Sequence, residues 1–169
     1  MNLHLIALAC QVALLVYHQV TTLVDLHPFN GVRHYQRREK VIEAGVNAAL
    51  MGTAIAGTVI GSGWMLGFAA VYYPVLFLME IVIWWVPYFT QPAGKLRAVY
   101  NVGLALGTSD FSSGDTLSRW VAIYQRTHAS TLTPLPRRAG LVVPNLEHII
   151  LHAGTALVVT VTLLYYFSK

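Results

Sequence analysis

Charged residues are scarce in this chain, and cysteine is nearly absent. Of its 169 residues, 11% are charged and one, Cys10, is a cysteine. Soluble domains carry about 25% charged residues, so the composition excludes an ordinary soluble fold. A disulfide within one chain needs two cysteines. Thiol chemistry that depends on a cysteine pair is therefore excluded.

Several catalytic signatures are also missing. The sequence contains no phosphate-binding glycine loop, no serine-nucleophile elbow and no Cys-x-x-Cys pair. ATP use therefore lacks support. The net charge is +4, but the basic residues lie between apolar segments, where they act as topology signals. We expect no nucleic-acid partner.

Apolar residues are abundant: 56% of the chain is hydrophobic and the mean hydropathy is +0.56. Four apolar segments are each close to the roughly 20 residues that cross a hydrocarbon core of about 30 Å. These segments are Leu3–Val24, Val41–Gly61, Trp64–Val86 and Leu146–Phe167. The sequence predicts an all-α integral membrane protein, a single domain over residues 1–169 built as a four-transmembrane-helix bundle.

The basic residues also predict how this bundle lies in the membrane. Four lie in the first connection (residues 25–40), six lie in the third (residues 87–145), and the second has none. By the positive-inside rule, the first and third connections face the cytoplasm and both termini lie outside. We expect the lipid bilayer of a bacterial inner membrane, or an equivalent membrane.

The third connection is too long for a simple turn. Two stretches in it have the pattern of amphipathic helices that lie at the membrane interface. One is Lys95–Leu106. The other begins after Asp115 and places on or near one side Leu117, Trp120, Val121, Tyr124 and His128. Such a helix either covers a pocket or only anchors the loop.

Small residues line the second span and the start of the third. The connection around Ser62 is so short that these spans must form an antiparallel hairpin. Glycines four residues apart let helix backbones approach closely. The small residues in question are Gly45, Ala49, Gly52, Ala56, Gly57, Gly61, Gly63 and Gly67. We expect this surface to pack helix against helix.

Each span carries a polar or ionisable side chain at about the same depth. At about 1.5 Å of rise per residue, His18, Asn47 and His152 lie about 10 Å below the cytoplasmic face, and Glu80 lies about two turns below its aromatic belt. Such groups are costly in hydrocarbon and usually functional. The outer halves of the spans are nearly free of ionisable residues. The pattern predicts a cavity that opens to the cytoplasm or the inner leaflet.

Catalytic roles follow from the chemistry of these groups. Glu80 is the expected general acid, and His152 or His18 is its proton partner, because desolvation disfavours the charged forms of both groups. Glu43 and His148 are expected as second contributors. The alternative without chemistry is a polar lock, in which Glu80 pairs with a histidine to hold the helices in register.

Substrate binding is expected from residues beside the catalytic groups. Asn47 supplies an orienting amide and Trp84 an aromatic wall. Thr22 and Asp25 share the helical face of His18. The first hypothesis is therefore a small membrane enzyme, an isomerase, transferase or reductase, that acts on a lipophilic or lipid-like small molecule.

Two other classes of function stay open. One is a haem- or metal-binding protein, with His18, His148 and His152 as candidate ligands. His18 and His152 would lie on either side of a haem. Alternatively, His148 and His152 would bind a divalent metal together with Glu80 or Glu43. The other is a non-catalytic membrane subunit or a proton-coupled carrier. A carrier of four spans would need to form a homo-oligomer.

Overall fold

The computed structural model describes residues 2–61, 63–90, 97, 98, 100, 101, 116–137 and 142–169. Within these ranges every regular element is helical. Four helices are long and apolar enough to cross a membrane, and they are Leu3–Leu23, Arg37–Ile60, Gly63–Thr90 and Leu146–Phe167. The prediction of an all-helical chain with four such helices is confirmed.

The elements follow one another as α1 (Leu3–Leu23), a 3₁₀ turn (Val32–His34), α2 (Arg37–Ile60), α3 (Gly63–Glu80), a π-helical stretch (Ile81–Trp85), α4 (Val86–Thr90), α5 (Thr116–Thr127) and α6 (Leu146–Phe167). The predicted helix over Lys95–Leu106 lies mostly outside the described residues. The second helix expected in the third connection corresponds to α5.

The four long helices form a ring. α1 packs on α2 and α6, and α3 packs on the same two helices. Neighbours run antiparallel: the His4 ring nitrogen Nε2 lies 3.0 Å from the Thr58 carbonyl oxygen, whereas the Tyr17 hydroxyl donates to the Glu147 carbonyl at 2.9 Å. The end of the ring where α1 ends and α2 and α6 begin is called the loop end below.

Apolar side chains from all four helices fill the centre of the ring. The buried cluster consists of Leu14, Met51, Ala54, Ala69, Tyr73 and Val158. Such close packing holds the helices at fixed positions. Polar side chains nearer the loop end are therefore held in a defined arrangement.

α2 begins earlier than the hydrophobic pattern predicted. The helix starts at Arg37, ahead of the expected Val41, because Gln36 and Glu39 form a capping box. The Glu39 carboxylate accepts the Gln36 backbone N–H at 2.9 Å. Polar capping thus extends the helix beyond its apolar segment.

Close approach of α2 and α3 is confined to one glycine. A Cβ atom on Gly57 would lie 2.5 Å from the Met65 carbonyl oxygen. The same atom would meet nothing within 4 Å on five other glycines of the predicted surface, Gly45, Gly52, Gly61, Gly63 and Gly67. The expectation of close packing at these five positions is wrong, because crossing helices come closest at one point and then diverge.

The third long helix continues past its expected end at Val86. The Val86 N–H bonds to the Ile81 carbonyl, five residues back, which is the π-helical pattern. The next residue, Pro87, has no N–H to offer Val82. The Val82 carbonyl accepts a hydrogen bond from the Tyr100 hydroxyl instead. The wider turn accommodates the proline and lets the helix continue to Thr90.

The described residues of the third connection pack against the loop end. Three side chains of α5 are buried, Leu117, Val121 and Tyr124, and Trp84 packs against their cluster. The Leu132 N–H donates to the Pro28 carbonyl, and the Leu146 N–H donates to the Leu132 carbonyl, both at 2.8 Å. α5 and the start of α6 are thereby held against the first connection.

Candidate functional site

A cavity of about 210 Å³ lies between the four long helices, and we call it the inner cavity. Its apolar walls come from Leu14, Met51, Leu76 and Leu151. Its polar and aromatic lining includes seven residues that the sequence singled out: His18, Glu43, Asn47, Glu80, Trp84, His148 and His152. Side chains more than 100 residues apart thus meet around one space.

Glu80 presents a carboxylate oxygen that has no hydrogen-bond partner among the described residues. The side chain is 7% exposed. Its Oε1 lies 2.9 Å from the Thr155 hydroxyl, which also lies 3.0 Å from the Leu151 carbonyl. Its Oε2 is buried and makes no hydrogen bond. Because Thr155 has one proton for two acceptors, Glu80 fits this site in either protonation state.

His152 is held in one tautomer by a tryptophan. The Trp85 indole N–H donates to His152 Nδ1 at 3.0 Å. An indole nitrogen only donates, so Nδ1 is unprotonated and the neutral ring carries its proton on Nε2. The residue is 3% exposed, and no residue that the structure describes hydrogen-bonds to its Nε2. His152 therefore supplies an unpaired N–H donor.

His18 and Glu43 lie at the opening of the inner cavity. His18 Nε2 is 3.9 Å from Glu43 Oε1, and the two side chains are 12% and 60% exposed. The buried Nδ1 of His18 makes no hydrogen bond. The Asn47 amide is held one turn below, where it donates to the Glu43 carbonyl at 3.0 Å.

A second space of about 270 Å³, the outer cavity, adjoins the inner one at the loop end. The two share Glu43, Trp84 and His148 in their walls. The Trp84 ring separates them, with its centroid 3.9 Å from that of His148 and 4.9 Å from that of Tyr124.

The two remaining candidates, Thr22 and Asp25, lie away from the inner cavity. Thr22 lines the outer cavity. Asp25 lies outside both, and its exposed carboxylate pairs with Arg33 at 3.2 Å. α1 ends before Asp25 because the Asn30 side chain caps it, donating to the carbonyls of Thr21 and Val24 at 2.8 Å each. The shared helical face therefore does not extend to Asp25.

The described residues contain one group of three possible metal ligands whose ligand atoms lie within 4.8 Å of one another: His128, Glu147 and His148. Sequence reasoning nominated His148 but missed the other two as ligands. His128 was expected on the buried side of α5, yet no sequence pattern indicates that this side meets the start of α6. Burial lowers the pKa of His128 to about 4, so its ring is neutral at neutral pH.

Haem does not fit the inner cavity. At about 210 Å³ the inner cavity is smaller than the roughly 300–1,000 Å³ of pockets that bind drug-sized ligands, and a porphyrin is a ligand of that size or larger. The tautomer of His152 also opposes axial ligation, because its Nε2 carries a proton and its Nδ1 is occupied by Trp85.

No protein-family model, curated protein or solved structure matches this chain. Its function has to be inferred from the chemistry of the site, because a four-helix architecture supports many functions.

Proposed function

We propose that this chain is a small integral membrane enzyme in which Glu80 and His152 exchange protons with a lipophilic or lipid-like substrate in the inner cavity. One observation carries the proposal. Within the part of the chain that the structure describes, three side chains that line this cavity each have a buried atom without a hydrogen-bond partner: Glu80 Oε2, His152 Nε2 and His18 Nδ1. Buried polar atoms are nearly always paired. The polar end of a substrate would supply these partners.

The chemistry follows from what each group offers. His152 donates its Nε2 proton in a hydrogen bond to a substrate oxygen, and Glu80 adds or removes a proton beside it. Proton removal at one atom and return at another is an isomerisation, which leaves the enzyme unchanged and needs no second substrate. Transfer or reduction needs a second substrate, for which the outer cavity offers space.

A lipophilic substrate suits the walls around the site. The inner cavity holds only the reacting end of such a molecule. An apolar groove of about 850 Å³ runs along α1 from Leu5 to Phe29, and it shares Thr21 with the outer cavity. The chain of the substrate would lie in this groove, and its polar end would enter past Glu43.

In the proposed arrangement the loop end faces the cytoplasm and both termini lie outside. Support comes from the four basic residues of the first connection, Arg33, Arg37, Arg38 and Lys40. Positive charges of this kind are retained on the cytoplasmic side. α5 would then lie at the cytoplasmic interface and cover the outer cavity.

Native mass spectrometry with lipid extraction tests the proposal on gently purified protein. We expect wild-type protein to carry a bound lipophile, and Glu80→Gln to carry at least tenfold less. The matched control is Thr162→Val, which breaks a buried hydrogen bond of 3.0 Å to Gln11 outside the inner cavity. This control should keep the lipophile.

Two results would contradict the proposal. Equal lipophile in Glu80→Gln and wild type, with only a lower melting temperature for the variant, would show that Glu80 is part of a polar lock. Protein without any lipophile, purified in a stable complex with another chain, would favour the non-catalytic subunit.

A further inference from the structure

We infer that a divalent transition-metal ion binds in the outer cavity through His128, Glu147 and His148. The site goes beyond the acid/base proposal, because neither Glu80 nor His152 belongs to it. His128 directly follows α5, and the other two residues lie in the first turn of α6. All three line the outer cavity, and their ligand atoms lie within 4.8 Å of one another.

The tautomer of His148 leaves a nitrogen free for a metal. Its Nδ1 contacts the Asn145 side-chain oxygen, which also accepts the His148 backbone N–H at 3.1 Å. An amide oxygen only accepts hydrogen bonds, so Nδ1 must carry the ring proton. The lone pair of the neutral ring is therefore on Nε2.

His128 is fixed in the same tautomer. Its Nδ1 lies 2.8 Å from the Thr127 hydroxyl oxygen and 3.3 Å from the Tyr124 carbonyl oxygen. The Thr127 hydroxyl has acceptors of its own, the carbonyls of Ile123 and Tyr124, at 3.0 and 3.1 Å. Nδ1 is therefore the donor, and Nε2 keeps the lone pair. Metal-binding histidines are typically oriented by such a bond from the other ring nitrogen.

Charge and spacing also suit a cation. The outer cavity is lined by three carboxylates, those of Glu39, Glu43 and Glu147, and by the ammonium group of Lys40. Ligands at about 2.0–2.1 Å from a tetrahedral zinc ion lie about 3.3 Å apart. Movements of about 1 Å by the side chains of His128, Glu147 and His148 would therefore bring their ligand atoms to the spacing that a bound zinc ion requires. Two histidines and one carboxylate suit zinc or iron(II) and leave coordination positions open to the cavity.

Zinc titration of metal-stripped, full-length protein in detergent tests the site. We expect one Zn²⁺ per chain. His128→Gln, Glu147→Gln and His148→Gln should each weaken Zn²⁺ binding by about 100-fold or more, since losing even an outer-shell partner costs about 10–100-fold. The control His34→Gln removes an exposed histidine near the loop end and should bind Zn²⁺ like wild type. Glu80→Gln should also keep the metal, which separates this test from the lipophile test.

A measurement on wild-type protein avoids dependence on variants that fail to fold. In ¹⁵N spectra of histidine-labelled protein, Zn²⁺ should shift the Nε2 resonances of His128 and His148 and leave those of His152 in place. Unshifted His128 and His148 resonances would overturn the inference. Unchanged zinc affinity in both His128→Gln and Glu147→Gln would overturn it as well.

Discussion

At the scale of single residues, hydrogen bonds decide what each histidine can do. His152 accepts a hydrogen bond from the Trp85 indole N–H at 3.0 Å, so its Nε2 carries the ring proton. His148 donates a hydrogen bond from Nδ1 to the Asn145 side-chain oxygen, so its Nε2 carries a lone pair. These two residues lie one turn apart on α6, yet the free nitrogen of His152 is a donor and that of His148 is an acceptor. Their spacing in the sequence alone allowed both to bind one ligand or metal.

Replacing Trp85 by Phe tests the tautomer of His152. The change keeps an aromatic ring but removes the indole N–H, which leaves a buried acceptor unpaired. We expect the free energy of unfolding to fall by about 1–3 kcal/mol. The ¹⁵N spectrum should show part of His152 with its proton on Nδ1. Thermal unfolding in detergent and histidine ¹⁵N NMR measure the two effects.

The control for this substitution is Trp64→Phe, because Trp64 is 74% exposed. It should alter neither the stability nor the His152 spectrum. An unchanged His152 spectrum in Trp85→Phe would show that something other than Trp85 selects the tautomer.

At the scale of elements, Pro87 and the π-helical stretch before it determine where two tryptophans point. The wider turn between Ile81 and Trp85 changes the angular spacing of the side chains around the helix from that of a regular α-helix. Trp85 thereby reaches His152, and Trp84 stands between the two cavities. A proline near a helix end suggested only a boundary, because its effect on the preceding turn depends on a partner such as Tyr100.

The crossing of α2 and α3 should be sensitive at Gly57 alone. A methyl group at Gly57 would clash with the Met65 backbone, at 2.5 Å from its carbonyl oxygen. We therefore expect Gly57→Ala to lower the free energy of unfolding by about 1–3 kcal/mol through overpacking. Gly52→Ala, with open space around it, should be neutral or slightly stabilising. Equal melting temperatures of the two variants in detergent would contradict this description of the crossing.

At the scale of the whole molecule, neighbouring long helices run antiparallel. The start of α1 and the end of α6 therefore both lie at the end of the ring opposite the loop end. The single cysteine makes their location easy to measure. In a Cys10→Ser background, we expect a membrane-impermeant maleimide to label Ser168→Cys on intact cells. His34→Cys should react only after the membrane is opened. The reverse pattern would show that the loop end faces outward.

The composition and the period of the hydrophobic pattern were sufficient for the four long helices. Each apolar segment is long enough to cross a hydrocarbon core, which helices of soluble proteins do not require. These four helices could therefore be predicted without knowing their contacts with other parts of the chain. Glu80, His18, Asn47 and His152 also stood out from the sequence, because a polar group in an apolar helix is conspicuous. Their common depth followed from the helical rise alone.

Only the tertiary structure brought His128 to the start of α6 beside Glu147 and His148. It also placed Asp25 outside both cavities and limited close helix contact to Gly57. These outcomes depend on how a long connection folds back and on the angle at which helices cross. Periodicity describes which side of one helix is apolar, but it carries no information on which distant side chain lies opposite.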